Sequence, residues 1–461
     1  MMTEVKKFIT REDDSVDVKA GRLSPAQYRE NFSDIPPPLD RNNALIEASR
    51  CLFCHDAPCV EACPTSIDIP GFIRKISTDN VKGAAKTILS ANIMGGACSR
   101  VCPVEELCEE ACVRNTQSDK PVKIGLLQRY ATDHLFARKD AQIFKRKQKT
   151  GKKIAIVGAG PAGLSCAHAL AQRGHDVVIF EARPKTGGLN EYGIAAYKLT
   201  DDFAQKEVEY ILSLGGIKIE HGRSLGKHFT LKELRGDYDA VFLGMGMSGV
   251  NALGLESEDL KGVEDAVDYI EMLRQSPDMG KLPVGRRVVV IGGGNTAIDI
   301  AIQIKKLGAE DVTLVYRRGL NEMGATVHEQ ELAQINGVLI KHWAQPRRLI
   351  GSKGHVKEIE FEYTQLDSKG RLTGTGDTFT LLADQVFKAI GQIFVPTSLQ
   401  DNAADMLQLT KKGRIAVNED GQTSLPGVWA GGDCTEGQDL TVEAVADGKR
   451  AAEAIDRALK V

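Results

Sequence analysis

Eight of the ten cysteines in this chain lie between Cys51 and Cys112, in two short groups that each contain a Cys-Pro pair. Thiolates at this density, in a sequence that begins without the apolar core of an export signal, are expected to bind metal and not to form disulfides. Bacterial ferredoxins have similar short gaps closed by Cys-Pro. The pattern therefore predicts iron–sulfur clusters and one-electron chemistry. The spacings are Cys51-x2-Cys54-x4-Cys59-x3-Cys63-Pro64 and Cys98-x3-Cys102-Pro103-x4-Cys108-x3-Cys112.

Zinc is the main alternative for these cysteines, because four thiolates also suit a structural zinc site. Zinc has no redox chemistry, whereas two nucleotide-binding patterns follow in this chain, so iron–sulfur clusters are the favoured interpretation. Cys166 and Cys434 are isolated and are interpreted as buried thiols. No Cys-x-x-Cys pair lies beyond residue 112, so a dithiol mechanism is not predicted.

The first nucleotide-binding pattern starts with an apolar strand at residues 154–157. Gly158 then allows a tight turn, Gly160 lets the backbone approach a pyrophosphate, and Gly163 permits close packing of the following helix. The helix N-terminus favours the negative charge of the pyrophosphate. The next strand ends on Glu181, which is expected to accept hydrogen bonds from the adenosine ribose. This order of strand, turn, helix, strand and acid favours a nucleotide site over a purely structural turn.

The second pattern repeats the first one later in the chain. A strand at residues 287–291 leads into Gly292, Gly294 and Ala297, and alanine is an allowed variant at the third position. A helix follows, and then a strand at residues 312–316. The repeat predicts a second dinucleotide site, which we assign to the nicotinamide cofactor.

The residues after that last strand are Arg317 and Arg318, where an acid would bind the 2′-hydroxyl group of NAD. An arginine pair instead suits the 2′-phosphate of NADP, through bidentate contacts. NADPH is therefore favoured over NADH. Two alternatives stay open: Glu322, close by in the sequence, could restore a preference for NADH, and the arginines could be surface residues without a ligand.

A chain of 461 residues and 50.0 kDa is long enough for roughly three domains. The net charge of −3 gives no reason to expect nucleic acid or an anionic membrane as partner. No apolar stretch approaches the roughly 20 residues that span a bilayer. We therefore expect a cytoplasmic protein. The basic run at residues 145–153 is interpreted as a solvated connector.

Glycines further along the chain are similar to those of the flavoprotein reductases that have two dinucleotide-binding folds. The relevant segments are Gly187-Gly188-Leu189 and residues 427–433, which precede a helix near residues 441–458. In that family the residue corresponding to Asp433, after Gly432, holds the ribityl–phosphate region of the flavin. The resemblance implies that Gly188, Gly432 and Asp433 bind FAD, and that the first nucleotide site belongs to this flavin.

The predicted fold is α/β: an N-terminal α-helical iron–sulfur domain followed by two Rossmann-like domains, for FAD and NAD(P), with the second inserted in the first. Alternating apolar strands and Ala-rich helices after the connector imply parallel sheets. The expected domains are an extended arm at 1–40, a helical two-cluster domain at 41–145, FAD-binding parts at 152–280 and 386–461, and an NAD(P)H-binding domain at 281–385.

The combined pattern resembles the electron-input module shared by dihydropyrimidine dehydrogenase and glutamate synthase, over nearly the whole chain from about residue 25. The segments CLFCHDAPCVEACPT (residues 51–65) and IGLLQ (residues 124–128) are closer to dihydropyrimidine dehydrogenase. That resemblance implies two [4Fe–4S] clusters and makes Cys98 a spare thiol. One cluster would be bound by Cys51, Cys54, Cys59 and Cys112, and the other by Cys63, Cys102, Cys108 and the side chain of Gln128.

The eukaryotic enzyme of this family continues into an FMN-binding barrel, and this sequence contains no such segment. The resemblance is to the separate small subunit of the bacterial enzyme. It implies a subunit that takes hydride from NAD(P)H to FAD and passes single electrons through the clusters, without a catalytic side chain of its own. The implied partner is an FMN-containing, dihydroorotate-dehydrogenase-like subunit that reduces uracil or thymine.

Three other functions stay open on the sequence alone. The chain could be the small subunit of glutamate synthase, in which a Glu is typical near the position of Gln128. It could be a free-standing NADPH:ferredoxin-type oxidoreductase that needs no dedicated partner. It could also be a zinc-stabilised binding module, which would be colourless and free of flavin.

Overall fold

The computed structural model describes residues 18–138, 141–396 and 407–460. Within these ranges the chain forms two compact units, which are described separately. One unit contains residues 252–391 together with the N-terminal segment to Asn31, and the other contains residues 32–251 and 392–461. The chain therefore leaves the second unit after Asn251 and re-enters it at Gln392, as expected for an inserted domain. The predicted fold class is confirmed.

The N-terminal segment has more structure than an extended arm. Its described part forms a short strand, β1 (Val18–Lys19), and a helix, α1 (Pro25–Asn31). Tyr28 is buried, and the Asn31 side chain donates to the Lys306 carbonyl oxygen at 2.8 Å. The prediction for residues 18–31 was therefore wrong, because a polar segment with one buried aromatic side chain does not reveal its packing partner. Residues 1–17 lie outside the described residues.

The cysteine-rich region is helical between Arg41 and Phe136, a stretch described without a gap. Apolar residues of these helices, such as Phe72, Ile73 and Ile88, are fully buried. Asp40 and Asp68 accept backbone N–H bonds at the starts of two of the helices, as N-cap residues do. The helices are α2 (Arg41–Ser49), α3 (Pro58–Glu61), α4 (Ile69–Ser77), α5 (Val81–Ala91), α6 (Gly95–Val101), α7 (Asn115–Ser118) and α8 (Ile124–Phe136).

The same unit contains the first Rossmann-like fold. Its five-stranded sheet is parallel, with strand order β17-β5-β2-β3-β4. The elements are β2 (Lys153–Val157), α9 (Pro161–Gln172), β3 (Asp176–Glu181), α10 (Leu189–Tyr192), α11 (Phe203–Leu212), β4 (Ile217–His221), α12 (Leu231–Asp237), β5 (Ala240–Leu243), β6 (Gly249–Val250), β16 (Gln392–Ile393), β17 (Val428–Ala430) and α16 (Thr441–Ala458).

One apolar core runs through both the cysteine-rich helices and this Rossmann-like fold. It includes Ala44 and Leu127 from the helices, and Ile156, Leu170 and Ile455 from the fold. Polar contacts reinforce the junction. The Lys449 ammonium group of α16 donates to the carbonyl oxygens of Ser90 and Ala91 at the end of α5, each at 3.2 Å.

The other unit contains the second Rossmann-like fold, a parallel sheet of order β11-β10-β9-β15-β7. The short strand β8 pairs with β1 in antiparallel register. The elements are β7 (Val263–Asp265), α13 (Ala266–Gln275), β8 (Val284–Gly285), β9 (Arg287–Gly292), α14 (Asn295–Lys306), β10 (Asp311–Val315), α15 (Val327–Ile335), β11 (Leu339–Lys341), β12 (Ala344–Ser352), β13 (His355–Leu366), β14 (Leu372–Leu382) and β15 (Gln385–Ala389).

Two features of this unit differ from the sequence-based description. Strands β12, β13 and β14 form an antiparallel sheet, although only parallel sheets were predicted after the connector. The unit also begins at Ala252 and ends at Gly391, so it includes residues that the sequence analysis placed in the FAD-binding parts. Strand β15 explains the second difference, because it pairs between β7 and β9 in the middle of the sheet.

Candidate functional site

The first cysteine group is brought together by short loops at the ends of helices. Cys51 and Cys54 follow α2, Cys59 lies on α3, and Cys112 lies in the turns before α7. All four line one pocket, whose other walls are mainly apolar and include Leu52. The pocket combines exactly the four thiols that the family resemblance assigns to one cluster.

Electrostatics in this pocket favour a cationic occupant. Burial, together with the neighbouring thiols of Cys112, Cys51 and Cys54, raises the pKa of Cys59 to about 12. Burial also raises the pKa of Cys51, with a smaller contribution from Cys54 and Cys112. Thiols so close together resist ionisation unless positive charge compensates them, and bound metal supplies that charge. The pocket therefore fits an iron–sulfur cluster.

The second cysteine group surrounds the end of α6. Cys102 follows the last residue of that helix, and its neighbours include Cys98, Cys108 and Cys63. A hydrogen bond with Cys98 and burial raise the pKa of Cys102 well above its usual value. Burial, the Glu109 carboxylate and the thiols of Cys63 and Cys59 raise that of Cys108. The two cysteine bursts of the sequence are thus interleaved, since each group contains thiols from both.

Gln128 and Cys98 are the two candidates for the remaining ligand of this second group. Gln128 is only 7% exposed, and its amide nitrogen donates to the Gly95 carbonyl oxygen at 2.7 Å. That bond leaves the amide oxygen as the atom that could bind iron. Cys98 is 1% exposed and lies next to Cys102. The assignment of Gln128 as a ligand, with Cys98 spare, stays a prediction.

The spacing between the thiols bears on which metal centre fits. Among the described residues, no group of three or more His, Cys, Asp or Glu side chains is arranged to hold a single metal ion. A zinc site requires four ligand atoms about 2.3 Å from one ion. A cluster of several irons instead binds each thiolate through a different iron, so its ligands surround a larger space. Four thiols around one mainly apolar pocket are compatible with such a cluster.

The first glycine turn forms a tight cradle at the start of α9. A β-carbon on Gly163 would lie 2.0 Å from the Gly158 carbonyl oxygen, so the helix can pack here only without a side chain. Gly188 has a φ of +55°, and a β-carbon on it would lie 2.6 Å from the Gly160 α-carbon. The structure thus brings the Gly187-Gly188 segment against the turn, which is the arrangement expected of a pyrophosphate site.

Glu181 lies at the end of β3, beside this turn. One carboxylate oxygen accepts the Ala159 N–H at 2.8 Å and the other accepts the Arg183 N–H at 2.8 Å. The side chain is 8% exposed. Each oxygen retains a second lone pair, so the fixed carboxylate can still accept a ribose hydroxyl group.

Gly432 and Asp433 come to the same place from the far end of the chain. A β-carbon on Gly432 would lie 3.0 Å from the Ala162 β-carbon in the first turn of α9. Burial, together with the Asp439 carboxylate, raises the pKa of Asp433 to about 6, although Arg414 opposes the effect. The Gly432 N–H is held by the Asp447 carboxylate at 2.9 Å, a contact that no sequence motif indicated.

The second glycine turn has the same construction at the start of α14. A β-carbon on Gly292 would lie 2.2 Å from the Ala389 carbonyl oxygen, and Ala297 is fully buried. Gly294 is the residue before the first turn of the helix, and no atom of the described chain lies within 4 Å of where its β-carbon would be. The open space at Gly294 is where a pyrophosphate would approach the helix N-terminus.

Arg317 and Arg318 follow β10 at the carboxyl edge of this sheet. Arg317 is exposed and Arg318 is half-buried. Neither guanidinium group forms an ion pair with the described residues. Their backbone is fixed, because the Arg317 and Arg318 carbonyl oxygens accept the Thr364 hydroxyl and the Trp343 N–H, at 2.7 and 3.1 Å. Two cations on a rigid segment are thus available to an anionic ligand.

Comparisons with known proteins agree with this construction. The profile of the pyridine nucleotide-disulphide oxidoreductase family matches residues 152–448. A second profile, dihydropyrimidine dehydrogenase domain II with a 4Fe-4S cluster, matches residues 28–140. A subunit named NAD-dependent dihydropyrimidine dehydrogenase subunit PreT, from Salmonella typhimurium, is 37% identical over 94% of this chain and 98% of its own length. This chain belongs to the PreT family.

Other known proteins are also similar to this PreT family member. The Escherichia coli protein named glutamate synthase [NADPH] small chain is 34% identical over 93% of this chain and 94% of its own length. Among solved structures, Mycobacterium tuberculosis FprA in complex with NADPH has a TM-score of 0.57 at 22% identity, over 67% of this chain and 85% of FprA. That structural likeness supports the fold.

These findings confirm several sequence-based predictions. The chain is an NAD(P)H-dependent flavin oxidoreductase. Its cofactors are FAD, a nicotinamide nucleotide and an iron–sulfur cofactor of the [4Fe–4S] type. No helix in the described ranges is both long and apolar enough to cross a bilayer. The individual ligand residues and the number of clusters remain predictions.

Proposed function

We propose that this chain is the electron-input subunit of a dihydropyrimidine dehydrogenase. When bound, FAD would accept a hydride from NAD(P)H, and the clusters would carry the electrons singly to a partner. The observation that carries the proposal is the shared core: the cysteine-rich helices and the flavin-type fold form one compact unit. Such a core holds the two redox sites at a constant separation, as repeated electron transfer requires.

In this proposal the chain binds and orients its cofactors and supplies no acid or base. Gly158, Gly160, Gly163 and Gly188 form the cradle for the FAD pyrophosphate. Glu181 holds the adenosine ribose. On the other side of the cradle, Gly432 and Asp433 hold the ribityl–phosphate region, and burial raises the pKa of the Asp433 carboxyl group to about 6. In the other unit, Gly292, Gly294 and Ala297 receive the nicotinamide nucleotide.

Two [4Fe–4S] clusters are proposed, following the two thiol groups. The pocket formed by the first group supports one of them. The second cluster is supported by the thiols around Cys102, which raise the pKa of that residue. Gln128 would complete the ligands of this cluster. The ligands are Cys51, Cys54, Cys59 and Cys112 for the first cluster, and Cys63, Cys102, Cys108 and Gln128 for the second.

The arginine pair predicts a preference for NADPH over NADH. Replacing both residues (Arg317→Ala with Arg318→Ala) should raise the KM for NADPH roughly 10- to 100-fold, because a charge-assisted hydrogen bond to phosphate contributes about 1.5–3 kcal/mol. The KM for NADH should change little. Steady-state reduction of ferricyanide with each nucleotide measures both constants.

Arg347→Ala is the matched control for the arginine pair, since it removes an exposed cation from the same compact unit. It should leave the ratio of the two KM values unchanged. If the wild-type protein uses NADH better and the double variant keeps that ratio, the arginine pair has no role in selecting the cofactor.

The partner is proposed to be an FMN-containing subunit related to dihydroorotate dehydrogenase, in a cytoplasmic hetero-oligomer. Support comes from relatives that are named as subunits of dihydropyrimidine dehydrogenase. We expect an affinity-tagged chain, when it is recovered anaerobically from its native cell, to co-purify with such a partner. The recovered complex should oxidise NAD(P)H in a uracil-dependent reaction. An untagged culture is the control for unspecific capture.

A small subunit of glutamate synthase is the second candidate, and the relatives at 34% identity favour it. In that case the recovered partner would be a large amidotransferase, and activity would need 2-oxoglutarate and glutamine. Gln128 opposes this candidate, because glutamate synthase small subunits typically have Glu near that position. Recovery of the chain alone, with rapid reduction of ferredoxin, would instead indicate a free-standing oxidoreductase.

A further inference from the structure

Glu207, on α11, is a carboxyl group with no exposed surface. One of its oxygens, Oε1, accepts the N–H groups of Gly96 and Ala97 in the first turn of α6, at 2.9 and 3.1 Å. The other oxygen, Oε2, is buried and has no hydrogen-bond partner among the described residues. A fully buried carboxyl group with one unpaired oxygen is costly, whether it is ionised or protonated.

Few charges face this carboxyl group. From α6, Arg100 lies close enough to attract it, but the Arg100 guanidinium also donates to the Asp133 carboxylate of α8 at 2.6 Å. Asp133 in turn repels Glu207 and pairs with Arg129 on its own helix. The remaining neighbours of Gly96 are aromatic rings, from Phe203 of α11 and Phe136 of α8.

These surroundings favour the neutral form of the acid. Burial raises the pKa of Glu207 to about 8, although the two N–H groups and Arg100 act in the opposite direction. An ordinary glutamate would be ionised throughout the neutral range. The ionised form of Glu207 therefore becomes populated only above about pH 8.

The position of Glu207 connects it to both redox sites of the compact unit. Helix α6, which it caps, ends at Cys102, and a rise of 1.5 Å per residue separates Gly96 from Cys102 by roughly 9 Å. On the same helix α11, Gln205 donates to the Thr186 carbonyl oxygen at 2.7 Å, next to the glycine segment of the flavin cradle. One helix thus touches the flavin cradle and the helix that leads to the second thiol group.

We propose that Glu207, at a pH at which it is ionised, takes up one proton when an electron arrives at the cluster held by Cys63, Cys102 and Cys108. The electron comes from NAD(P)H through the flavin, and the proton comes from water. One O–H bond forms on the carboxyl group, no bond in the protein breaks, and the added negative charge is neutralised within the same core. Glu207 acts here as a positioning residue, because it changes the charge near the cluster and takes no part in the hydride step. The inference rests on the cluster assignment proposed above.

The proposal fixes the direction of a pH effect. An additional electron raises the proton affinity of a nearby carboxyl group, so reduction and protonation favour each other. Below the pKa of Glu207 in the oxidised protein, the acid is already protonated and the potential is independent of pH. Above it, the midpoint potential should fall by up to about 59 mV for each tenfold drop in proton concentration, the value for a one-electron step.

The test is a redox titration of the intact chain, loaded with FAD and iron–sulfur clusters, followed by electron paramagnetic resonance between pH 6 and pH 10. The wild-type potential of one cluster should fall above about pH 8. Glu207→Gln, which retains an oxygen acceptor for Gly96 and Ala97, should abolish that fall. Glu264→Gln is the matched control: burial also raises the pKa of this carboxyl group, which accepts the Gln385 amide N–H at 2.9 Å and lies in the compact unit that lacks the thiol groups.

The Glu264→Gln variant should retain the fall above pH 8. A wild-type potential that is flat in this range, or a Glu207→Gln variant that keeps the fall, would overturn the proposal. Absence of a cluster signal in the wild type would instead refute the cluster assignment. If Glu207→Gln does not accumulate, infrared difference spectra of the wild type decide: reduction at pH 9 must produce a protonated carboxyl signal, and its absence overturns the proposal.

Discussion

Cys59→Ala should remove one of the two proposed clusters while leaving the flavin in place. The Cys59 thiol is half-buried in a pocket that it shares with three other thiols, and a methyl group there cannot bind iron. Iron and acid-labile sulfide should fall to roughly half of the wild-type content, as expected for the loss of one of two [4Fe–4S] clusters. Electron delivery to the partner should fall to background, because the route is interrupted. Metal analysis and partner-dependent turnover measure the two effects.

Two other cysteine variants serve as controls for this result. Cys166→Ala changes a fully buried thiol on α9 and should retain all the iron. Cys98→Ala should also retain it, since Gln128 is the predicted ligand. A Cys59→Ala protein with unchanged iron would show that this pocket holds no cluster. Loss of iron from Cys98→Ala would exchange the assignments of Cys98 and Gln128.

Gly163→Ala should abolish FAD binding and destabilise the fold. The added β-carbon would lie 2.0 Å from the Gly158 carbonyl oxygen and 3.3 Å from the Ile156 side chain. Helix α9 would have to move away from the strand, which opens the pyrophosphate cradle. Overpacking of this kind typically costs about 1–3 kcal/mol, and a backbone contact that cannot yield places the cost at the upper end. The flavin absorbance of the purified protein and its thermal unfolding measure both effects.

Gly236→Ala is the matched control for this substitution. Gly236 lies in helix α12 of the same compact unit, and beyond its own helix no atom of the described residues lies within 4 Å of where its β-carbon would be. This variant should retain FAD and gain up to about 1 kcal/mol of stability, because alanine is the better helix former. A flavin content that is equal in both variants would contradict the role assigned to Gly163.

The parts of the site that could be predicted from sequence are those in which one residue type meets a backbone requirement. Gly163 and Gly292 occupy places where a β-carbon would collide with a carbonyl oxygen, so glycine itself is the signal. The two parallel sheets were predictable for a similar reason, since buried strands between helices give continuous apolar runs. The cysteines were visible because thiolates at high density have few other uses.

Features that depend on long-range packing could not be predicted from the sequence. A glutamate in a helix is usually exposed, and only the fold shows that α6 covers Glu207. The interleaving of the two cysteine bursts was likewise carried by resemblance, because spacing alone does not say which thiols meet. Strands β12–β14 were missed because their outer faces are polar, and a half-exposed antiparallel sheet resembles a sequence of loops.

Lys449 and the common core around Ala44 and Ile455 have a consequence for how this protein can evolve. Domains joined by a linker can be exchanged by recombination, because each domain has its own apolar core. Here an exchanged cysteine-rich segment would have to bring a helix end that receives the Lys449 ammonium group and an apolar face that fits α11 and α16. We therefore expect the two segments to be inherited together, in keeping with relatives that match over both and along almost their entire length.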